Sequence, residues 1–273
     1  MTIRDFMRAL SALSLPRNEA RLLLAHVLHR DHAWLVTHDD YKFTVGELEQ
    51  INALIARRVA GEPIAYLRGE REFYGRTFRC SPAALIPRPE TELLVERALL
   101  RTPADAALRV LDIGTGTGCI AITIALERPT AMVTAIDISP DALTLARDNA
   151  QRLQAKVTFT QSNWFAALPP DAQFDVILSN PPYIVPGDAH LTQGDLRFEP
   201  AVALADAVDG LESYRQLALG AWRHLKPEGL LIVEHGYDQG ESVPALLRAA
   251  GFANVKMHRD LSGHPRITEA HRP

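Results

Sequence analysis

Hydrophobic positions in the first seventy residues recur at the spacing of α-helices. One set lies on a single helical face at the i, i+3, i+4, i+7 and i+8 positions: Ala20, Leu23, Leu24, Val27 and Leu28. A second set follows a predicted capping box formed by Thr44 and Glu47: Leu48, Ile51, Ile55 and Val59. We therefore predict a helical domain over residues 1–70.

Between residues 70 and 89 the pattern changes to short β-like pieces. These pieces are RTFRC at 76–80 and AALIP at 83–87, and they are separated by glycine and proline. We predict that residues 71–90 form a linker that contains a β-hairpin.

Beyond the linker, strand-like and helix-like segments alternate. We predict strands at 109–113, 132–137, 156–160, 174–179 and 230–234, and helices at 119–127, 140–153 and 211–225. Such alternation is typical of an α/β fold with a doubly wound, mainly parallel sheet. Residues 91–273 are predicted to form this second domain.

Composition is that of a folded globular protein, with 47% hydrophobic and 23% charged residues. The cysteines Cys80 and Cys119 fit a reducing compartment. No apolar run approaches the roughly 18 residues of a membrane span, and Asp5 and Arg8 interrupt the apolar core that a secretory signal would need. We expect a cytoplasmic protein that does not associate with membranes.

Charge argues against a protein that mainly grips nucleic acid, because such affinity comes largely from Lys and Arg on phosphates. The net charge is −4. Residues 1–90 hold 13 Lys and Arg against 11 Asp and Glu, which leaves residues 91–273 with a net charge of −6. His26, His29 and His32 recur every three residues, but no Cys or carboxylate stands at ligand spacing, so we predict surface histidines and no metal site.

A glycine-rich turn follows the first strand of the second domain. The strand RVLDI runs into GTGTG, and Asp137 closes the next strand about 20 residues later, as in nucleotide sites. A dinucleotide motif starting at Gly114 would need glycine at 119, where the chain has Cys119. The pattern D-x-G-x-G-x-G from Asp112 to Gly118 resembles the first motif of class I methyltransferases, which bind S-adenosylmethionine; another nucleotide or a structural turn are the alternatives. Trp164 would then lie near the adenine, or else is an ordinary core aromatic.

The segment SNPPY at 179–183 follows the fourth predicted strand and should open onto the same crevice. A planar NH₂ group is a poor nucleophile because its lone pair is delocalised into the adjacent π-system. The side-chain oxygen of Asn180 and the carbonyl of Pro181, stiffened by the proline ring angles, can accept its two protons, and Tyr183 can stack on it. These residues alone leave adenine N6, cytosine N4 and a glutamine amide open as methyl acceptors.

Several segments together resemble the bacterial release factor glutamine methyltransferase family, also called HemK or PrmC. They are GEPIAYLRGEREFYG (61–75), LIPRPETELLVE (85–96), LDIGTGTGCIA (111–121), SNPPYI (179–184), DLRFEP (195–200) and LLIVEHG (230–236). The resemblance implies a class I methyltransferase Rossmann-like fold. It also implies methyl transfer from S-adenosylmethionine, with S-adenosylhomocysteine as product, to the glutamine amide nitrogen in the Gly-Gly-Gln motif of peptide chain release factors.

The resemblance also implies residue roles. The residues implied to contact the cofactor are Gly114, Thr115, Gly116, Thr117, Gly118, Asp137, Trp164 and Asn180. Those implied to hold the glutamine are Asn180, Pro181, Pro182 and Tyr183, and the helical domain would bind the release factor. Asn163 stands where the family often has Asp, so an amide oxygen would meet the adenine amino group. The charges Arg88, Glu90 and Glu92 either fix the hinge between the domains through ion pairs or contact substrate.

Three rivals stay open. A related methyltransferase could act on a glutamine of a ribosomal protein, although the PRPETE form of the linker leans against it. A DNA adenine methyltransferase should display a basic face, which the net −6 of residues 91–273 disfavours. A non-catalytic cofactor-binding module would have no need of Asn180. We expect a monomer without a stable nucleic-acid partner.

Overall fold

The computed structural model describes residues 1–10, 15–206 and 208–273. Contacts divide the chain into two compact units, Met1–Glu70 and Arg71–Pro273. In the part of the chain that is described, no helix is both long and apolar enough to cross a membrane.

The first unit is helical. Its helices are α1 Ile3–Ala9, α2 Arg17–Leu28, α3 His32–Thr37, α4 Val45–Val59 and α5 Ile64–Arg68. The capping box at the start of α4 is confirmed, because the Thr44 hydroxyl accepts the Glu47 N–H at 3.2 Å and the Glu47 carboxylate accepts the Thr44 N–H at 2.8 Å. Leu23, Leu24 and Ile51 are fully buried in its core. Val59 was wrongly placed on the apolar face: it is 55% exposed, because it lies in the last turn of α4.

A short hairpin begins at the boundary between the units, with β1 Glu70–Phe73 and β2 Arg76–Arg79. The prediction of a strand at 83–87 is wrong. This segment forms no strand because its Ile86 N–H donates to the Glu199 side chain at 3.0 Å and not to a neighbouring strand. Arg76–Arg79 pairs instead with Glu70–Phe73, the charged segment before it. The sequence did not predict this strand because three of its four residues are charged.

The second unit contains a seven-stranded sheet. Its strands are β3 Arg109–Ile113, β4 Met132–Asp137, β5 Val157–Gln161, β6 Phe174–Ser179, β7 Leu225–Glu234, β8 Ala253–Arg259 and β9 Pro265–His271. The spatial order is β5-β4-β3-β6-β7-β9-β8, and the first five strands in this order are parallel. β9 is antiparallel to both of its neighbours. The chain therefore reverses its direction of winding between β3 and β6, where α/β sheets bind ligands.

Helices cover both faces of this sheet. They are α6 Glu92–Arg101, α7 Cys119–Glu127, α8 Pro140–Leu153, α9 Ala201–Leu204, α10 Glu212–His224 and α11 Ser242–Ala249. Neighbouring strand residues enter opposite cores: Val110 packs with α6 and α7, whereas Leu111 packs with α10 and α11. Strands buried on both faces read as continuous apolar runs, which is why β3 and β6 were predicted with their observed bounds.

Candidate active site

The glycine-rich turn closes the end of β3 against the end of β4. The N–H groups of Gly114 and Thr115 both donate to the Ile136 carbonyl, at 2.9 and 3.0 Å. Gly114, Gly116 and Gly118 have φ angles of 72°, 56° and 83°, which glycine adopts without a Cβ penalty. This backbone path brings the turn to the carboxyl edge of the sheet.

Asp112 supports the turn from below. It is fully buried, and its Oδ2 accepts a 2.7 Å hydrogen bond from the Thr115 hydroxyl. Burial raises the pKa of Asp112 to about 7, and the Thr115 hydrogen bond opposes this rise. The first acid of the motif therefore holds the turn in place and does not itself line the cavity.

Gly118 and Cys119 divide the end of the motif between packing and cavity. A Cβ on Gly118 would lie 2.8 Å from Ile122 Cδ1 and 3.2 Å from the Cβ of Ala146, so this glycine permits close helix packing and does not line the cavity. Cys119 does line the cavity, and burial raises the pKa of its thiol to about 12. The thiol is therefore protonated at neutral pH and cannot act as a thiolate nucleophile.

Asp137 ends β4 beside the turn. Its Oδ2 accepts the Gly116 N–H and its Oδ1 accepts the Ser139 N–H, both at 2.9 Å. Burial raises the pKa of Asp137, whereas these backbone hydrogen bonds lower it. Each carboxylate oxygen keeps a further lone pair on the cavity that Asp137 lines, so the side chain can accept hydrogen bonds from ligand hydroxyl groups.

Trp164 lies on the cavity wall and also against the core. Its backbone has a φ of 48°, and its carbonyl accepts a 2.6 Å hydrogen bond from Ser162 Oγ. The side chain is partly buried against the core cluster under α10, and both Trp164 and the exposed Asn163 line the cavity. Trp164 therefore packs against the core and also faces the cavity, and its place beside the adenine stays a prediction.

The SNPPY segment is fixed directly to the glycine turn. Ser179 and Ile113 pair across β6 and β3, and Ser179 Oγ donates to the Ile113 carbonyl at 2.8 Å. A Cβ on Gly114 would come within 4.0 Å of the Asn180 carbonyl oxygen. The two motifs, 66 residues apart from Ile113 to Ser179, thus meet at one edge of the sheet.

Two hydrogen-bond acceptors of this segment remain available. Asn180 Nδ2 donates to Thr91 Oγ1 at 3.2 Å, and within the described residues Asn180 Oδ1 has no partner. The Pro182 carbonyl accepts from Ser213 Oγ at 2.8 Å, whereas the Pro181 carbonyl accepts no hydrogen bond from any described residue. Asn180, Pro181 and Pro182 all line the cavity.

Tyr183 is held differently from its three neighbours. Its side chain packs against the core cluster under α10 and does not line the cavity, and burial raises the pKa of its phenol. Its carbonyl accepts from Gln239 Nε2 at 3.3 Å. Stacking of this ring on a substrate would therefore require the ring to turn towards the cavity.

One cavity of about 340 Å³ lies in the second unit, a volume within the usual range of ligand pockets. Its lining includes the glycine turn at 114–117, Asp137, Trp164 and residues 179–182. Sequence reasoning placed most of its polar wall but missed part of it. The missed lining residues include Thr91, Asp206, Glu212, Ser213 and Gln216. Thr91 lies within the quoted IPRPETE segment and Asp206 lies shortly after DLRFEP, so these two motifs carried the available signal.

Arg88 and Glu92 hold the segment before α6 within the second unit. Arg88 and the Ile86 N–H both bind the buried Glu199 carboxylate, which comes from the DLRFEP segment. Glu92 accepts the Tyr74 N–H at 2.9 Å and so anchors the hairpin, whereas Glu90 is exposed. Two of the three charges thus form internal contacts: Arg88 on the cavity wall and Glu92 at the hairpin.

Asp206 organises the loop that precedes α10. Its carboxylate accepts N–H groups from four residues, Val208, Asp209, Gly210 and Ser213, at 2.7–3.1 Å. Burial acts to raise the pKa of Asp206, but these hydrogen bonds prevail and lower it. The loop holds Ser213 in place to bind the Pro182 carbonyl.

Comparison with known proteins agrees with this architecture. A methyltransferase domain family matches residues 104–262, and the PrmC N-terminal domain family matches residues 2–69. A release factor glutamine methyltransferase of Bordetella pertussis is 52% identical over 93% of this chain and 94% of its own. One from Escherichia coli is 43% identical over 97% of this chain and 96% of its own.

The chain belongs to the release factor glutamine methyltransferase family. This confirms the resemblance drawn from the quoted segments and the predicted methyltransferase that uses S-adenosylmethionine. A methyltransferase of Pyrococcus furiosus has a similar fold, with a TM-score of 0.53 at 21% identity, covering 81% of this chain and 98% of its own. The predicted Rossmann-like doubly wound sheet is likewise confirmed for this family member. Within the described residues, no cluster of metal-ligating side chains accompanies it.

Proposed function

We propose that the protein transfers a methyl group from S-adenosylmethionine to the side-chain amide nitrogen of the glutamine in the Gly-Gly-Gln motif of peptide chain release factors. The observation that carries the proposal is the pair of unoccupied acceptors, Asn180 Oδ1 and the Pro181 carbonyl, on a cavity shared with the glycine turn. Relatives that are named release factor glutamine methyltransferase and are 43–52% identical to this chain support the proposal.

The acceptors suit a primary amide. An amide NH₂ has two protons and a lone pair delocalised into its carbonyl, so it attacks poorly unless it is held and partly pyramidalised. Asn180 Oδ1 and the Pro181 carbonyl accept the two protons and aim the lone pair. Positioning of this kind can contribute about 7–11 kcal/mol, so the site needs no strong general base.

The cavity also fits the methyl donor. S-adenosylmethionine, when bound, supplies a methyl group on a positively charged sulfur. The residues proposed to hold it are Gly114, Thr115, Gly116, Thr117, Gly118, Asp137, Trp164 and Asn180. Asp137 accepts hydrogen bonds from the ribose hydroxyls, Trp164 lies beside the adenine, and Gly118 acts through the turn geometry that it permits. Asn163 accepts from the adenine amino group.

The glutamine is held by Asn180, Pro181, Pro182 and Tyr183. Pro182 contributes by stiffening the chain, since its own carbonyl is occupied by Ser213. Tyr183 reaches the substrate amide only if its ring turns from the core towards the cavity, which substrate binding would induce.

Residues 1–70 are proposed to bind the body of the release factor, residues 71–90 to link the domains, and residues 91–273 to carry out the transfer. Amide hydrogen exchange of the full chain, measured with and without release factor, tests the first role. Slower exchange in α2 and α4 is expected, and unchanged exchange throughout 1–70 would contradict it. The place of action is proposed to be the cytoplasm, and the protein is proposed to act as a monomer without a stable nucleic-acid partner.

A direct assay separates the proposed substrate from its rivals. The purified protein and labelled S-adenosylmethionine are incubated in parallel with a release factor, ribosomal proteins and duplex DNA. Label on the release factor, lost when its Gly-Gly-Gln glutamine is replaced, is the expected result. Label on ribosomal protein or DNA but not on the release factor would refute the proposal.

A further inference from the structure

Thr91 is the residue immediately before α6, at the N-cap position, yet its side chain does not cap the helix. The side-chain oxygen of a threonine at this position normally accepts a hydrogen bond from a backbone N–H of the first turn. Here the Thr91 backbone is itself helical, with φ −67° and ψ −19°, and its hydroxyl makes no capping hydrogen bond. The side chain is 2% exposed and its Oγ1 lies 3.2 Å from Asn180 Nδ2.

Glu234 lies near this hydroxyl, at the end of β7. Its side chain is 1% exposed, and its Oε2 has no hydrogen-bond partner among the described residues. Burial raises the pKa of Glu234 to about 7, while the nearby Thr91 side chain and the charges of Arg266 and Arg88 oppose the rise, and Glu90 adds to it. Ionised Glu234 can only accept hydrogen bonds, so it favours the rotamer of the Thr91 hydroxyl in which the single proton points towards the carboxylate.

The direction of the Thr91 hydroxyl proton decides which way the Asn180 amide faces. An Asn side chain presents an acceptor at one end and donors at the other, and the two ends have nearly the same shape. With its proton directed to Glu234, Thr91 Oγ1 offers only lone pairs, which an NH₂ group can meet and a carbonyl oxygen cannot. The donor end of Asn180 therefore turns towards Thr91, and its Oδ1 turns away.

We propose that Thr91, whose Oγ1 accepts from Asn180 Nδ2 at 3.2 Å, is a positioning residue that fixes the amide orientation of Asn180 so that Oδ1 faces the substrate NH₂ group. This inference rests on the proposed function, because it assigns Oδ1 a proton of the glutamine amide. In the opposite orientation the Asn180 NH₂ would face the substrate NH₂, donor against donor. The segment that precedes α6 thus supplies Thr91, a positioning residue for the substrate amide that NPPY alone does not contain.

The test uses the full chain with a release factor, at a pH well above the Glu234 pKa. Thr91→Val keeps the shape but removes the hydroxyl, and it should lower kcat about 10- to 100-fold with little change in KM for either substrate. Thr91→Ser restores the hydroxyl and should recover kcat to within a few fold. Equal kcat in Thr91→Val and the unmodified protein would overturn the proposal, as would failure of Thr91→Ser to recover it.

Thr102→Val is the matched control. Thr102 follows the other end of α6, is 6% exposed, and donates its hydroxyl to the Ala98 carbonyl at 2.8 Å, away from the cavity. The Thr102→Val variant should lose stability as Thr91→Val does but keep its kcat. A parallel fall in kcat would mean that loss of a hydroxyl at either end of α6 slows the reaction, and would refute the specific role of Thr91.

A second variant keeps the test decisive if Thr91→Val fails to fold. Glu234→Gln introduces an NH₂ group that can donate to Thr91 and release its proton towards Asn180, so kcat should fall several fold with KM retained. An unchanged kcat would overturn the proposal. Unmodified protein that methylates no release factor at all would instead refute the proposed function, which separates the two failures.

Discussion

Ser179 Oγ donates a 2.8 Å hydrogen bond to the Ile113 carbonyl and so fixes the residue before NPPY to the residue before the glycine turn. Ser179 is fully buried, and its strand pairs in register with β3 at these two residues. The bond joins the SNPPY side of the cavity, proposed to hold the substrate, to the glycine-turn side, proposed to hold the cofactor. A displacement between reacting groups of even 1 Å can cost about 100-fold in rate.

Ser179→Ala is therefore expected to lower kcat about tenfold or more and the free energy of unfolding by ~1 kcal/mol, the usual net worth of one hydrogen bond. Steady-state kinetics and urea unfolding measure the two effects. Thr102→Val, which also removes a buried 2.8 Å hydroxyl–carbonyl bond, should reproduce the loss of stability alone. A kcat for Ser179→Ala equal to that of this control would show that the bond does not align the two motifs.

Asn180→Ala should nearly abolish methyl transfer while the protein stays folded. It removes one of the two acceptors that hold the amide NH₂, and loss of one preorganised hydrogen-bond partner of a transition state typically costs about 10²–10³-fold in kcat. Transfer of labelled methyl groups to a release factor measures the rate, and circular dichroism checks the fold. Near-normal turnover would remove Asn180 from the mechanism.

Asp137→Ala should weaken cofactor binding. The carboxylate supports the turn through Gly116 N–H and has lone pairs left for ribose hydroxyls, and hydrogen bonds to a charged group contribute about 1.5–3 kcal/mol each. We expect the Kd for S-adenosylhomocysteine, measured by calorimetry, to rise about 10- to 100-fold. Asp141→Ala, on the exposed side of the following helix, is the control and should bind as before.

The acid sensitivity of the second unit should depend on Glu269. This side chain is 1% exposed in β9 and pairs with Arg101 at 2.7 Å and Arg97 at 3.2 Å. Burial acts to raise its pKa, but the hydrogen bonds from Arg101 and Arg97 prevail and lower it to about 2. Because the folded-state pKa lies below the ordinary value of 4.5, the stabilisation is present above pH 4.5 and is lost as pH falls towards 2.

Glu269→Gln should thus reduce the free energy of unfolding by ~2 kcal/mol at neutral pH. This lies between the costs for a buried and an exposed ion pair, because Arg101 and Arg97 are 40% and 20% exposed. The difference from the unmodified protein should shrink between pH 4.5 and 2. Denaturant unfolding across this range is the measurement. Glu127→Gln breaks the more exposed pair with Arg76 and should cost less than ~1 kcal/mol; a difference for Glu269→Gln that is independent of pH would contradict the assignment.

Local sequence determined much of this protein. The strand bounds of β3, β4 and β6 follow from apolar runs, since strands covered on both faces need no polar alternation. The capping box of Thr44 and Glu47 follows from two residues three positions apart. Cys119, where a dinucleotide motif needs glycine, disfavoured a dinucleotide, and the resemblance of Asp112–Gly118 to the first motif of class I methyltransferases indicated the cofactor. Hydrogen bonds and dihedral angles of neighbouring residues decide such features, so a short segment contains the information.

Tertiary structure decided how the site is completed. No pattern in the sequence relates Thr91 to Asn180, Ser213 to Pro182 or Glu199 to Ile86, because these contacts span 89, 31 and 113 residues and involve single polar side chains without periodicity. Only the fold sets the partner of each donor and acceptor. The sequence therefore predicted that Asn180 and Pro181 hold the substrate amide. The packing of α6, β6 and β7 at one sheet edge determined that Asn180 Oδ1 and the Pro181 carbonyl remain without a partner among the described residues.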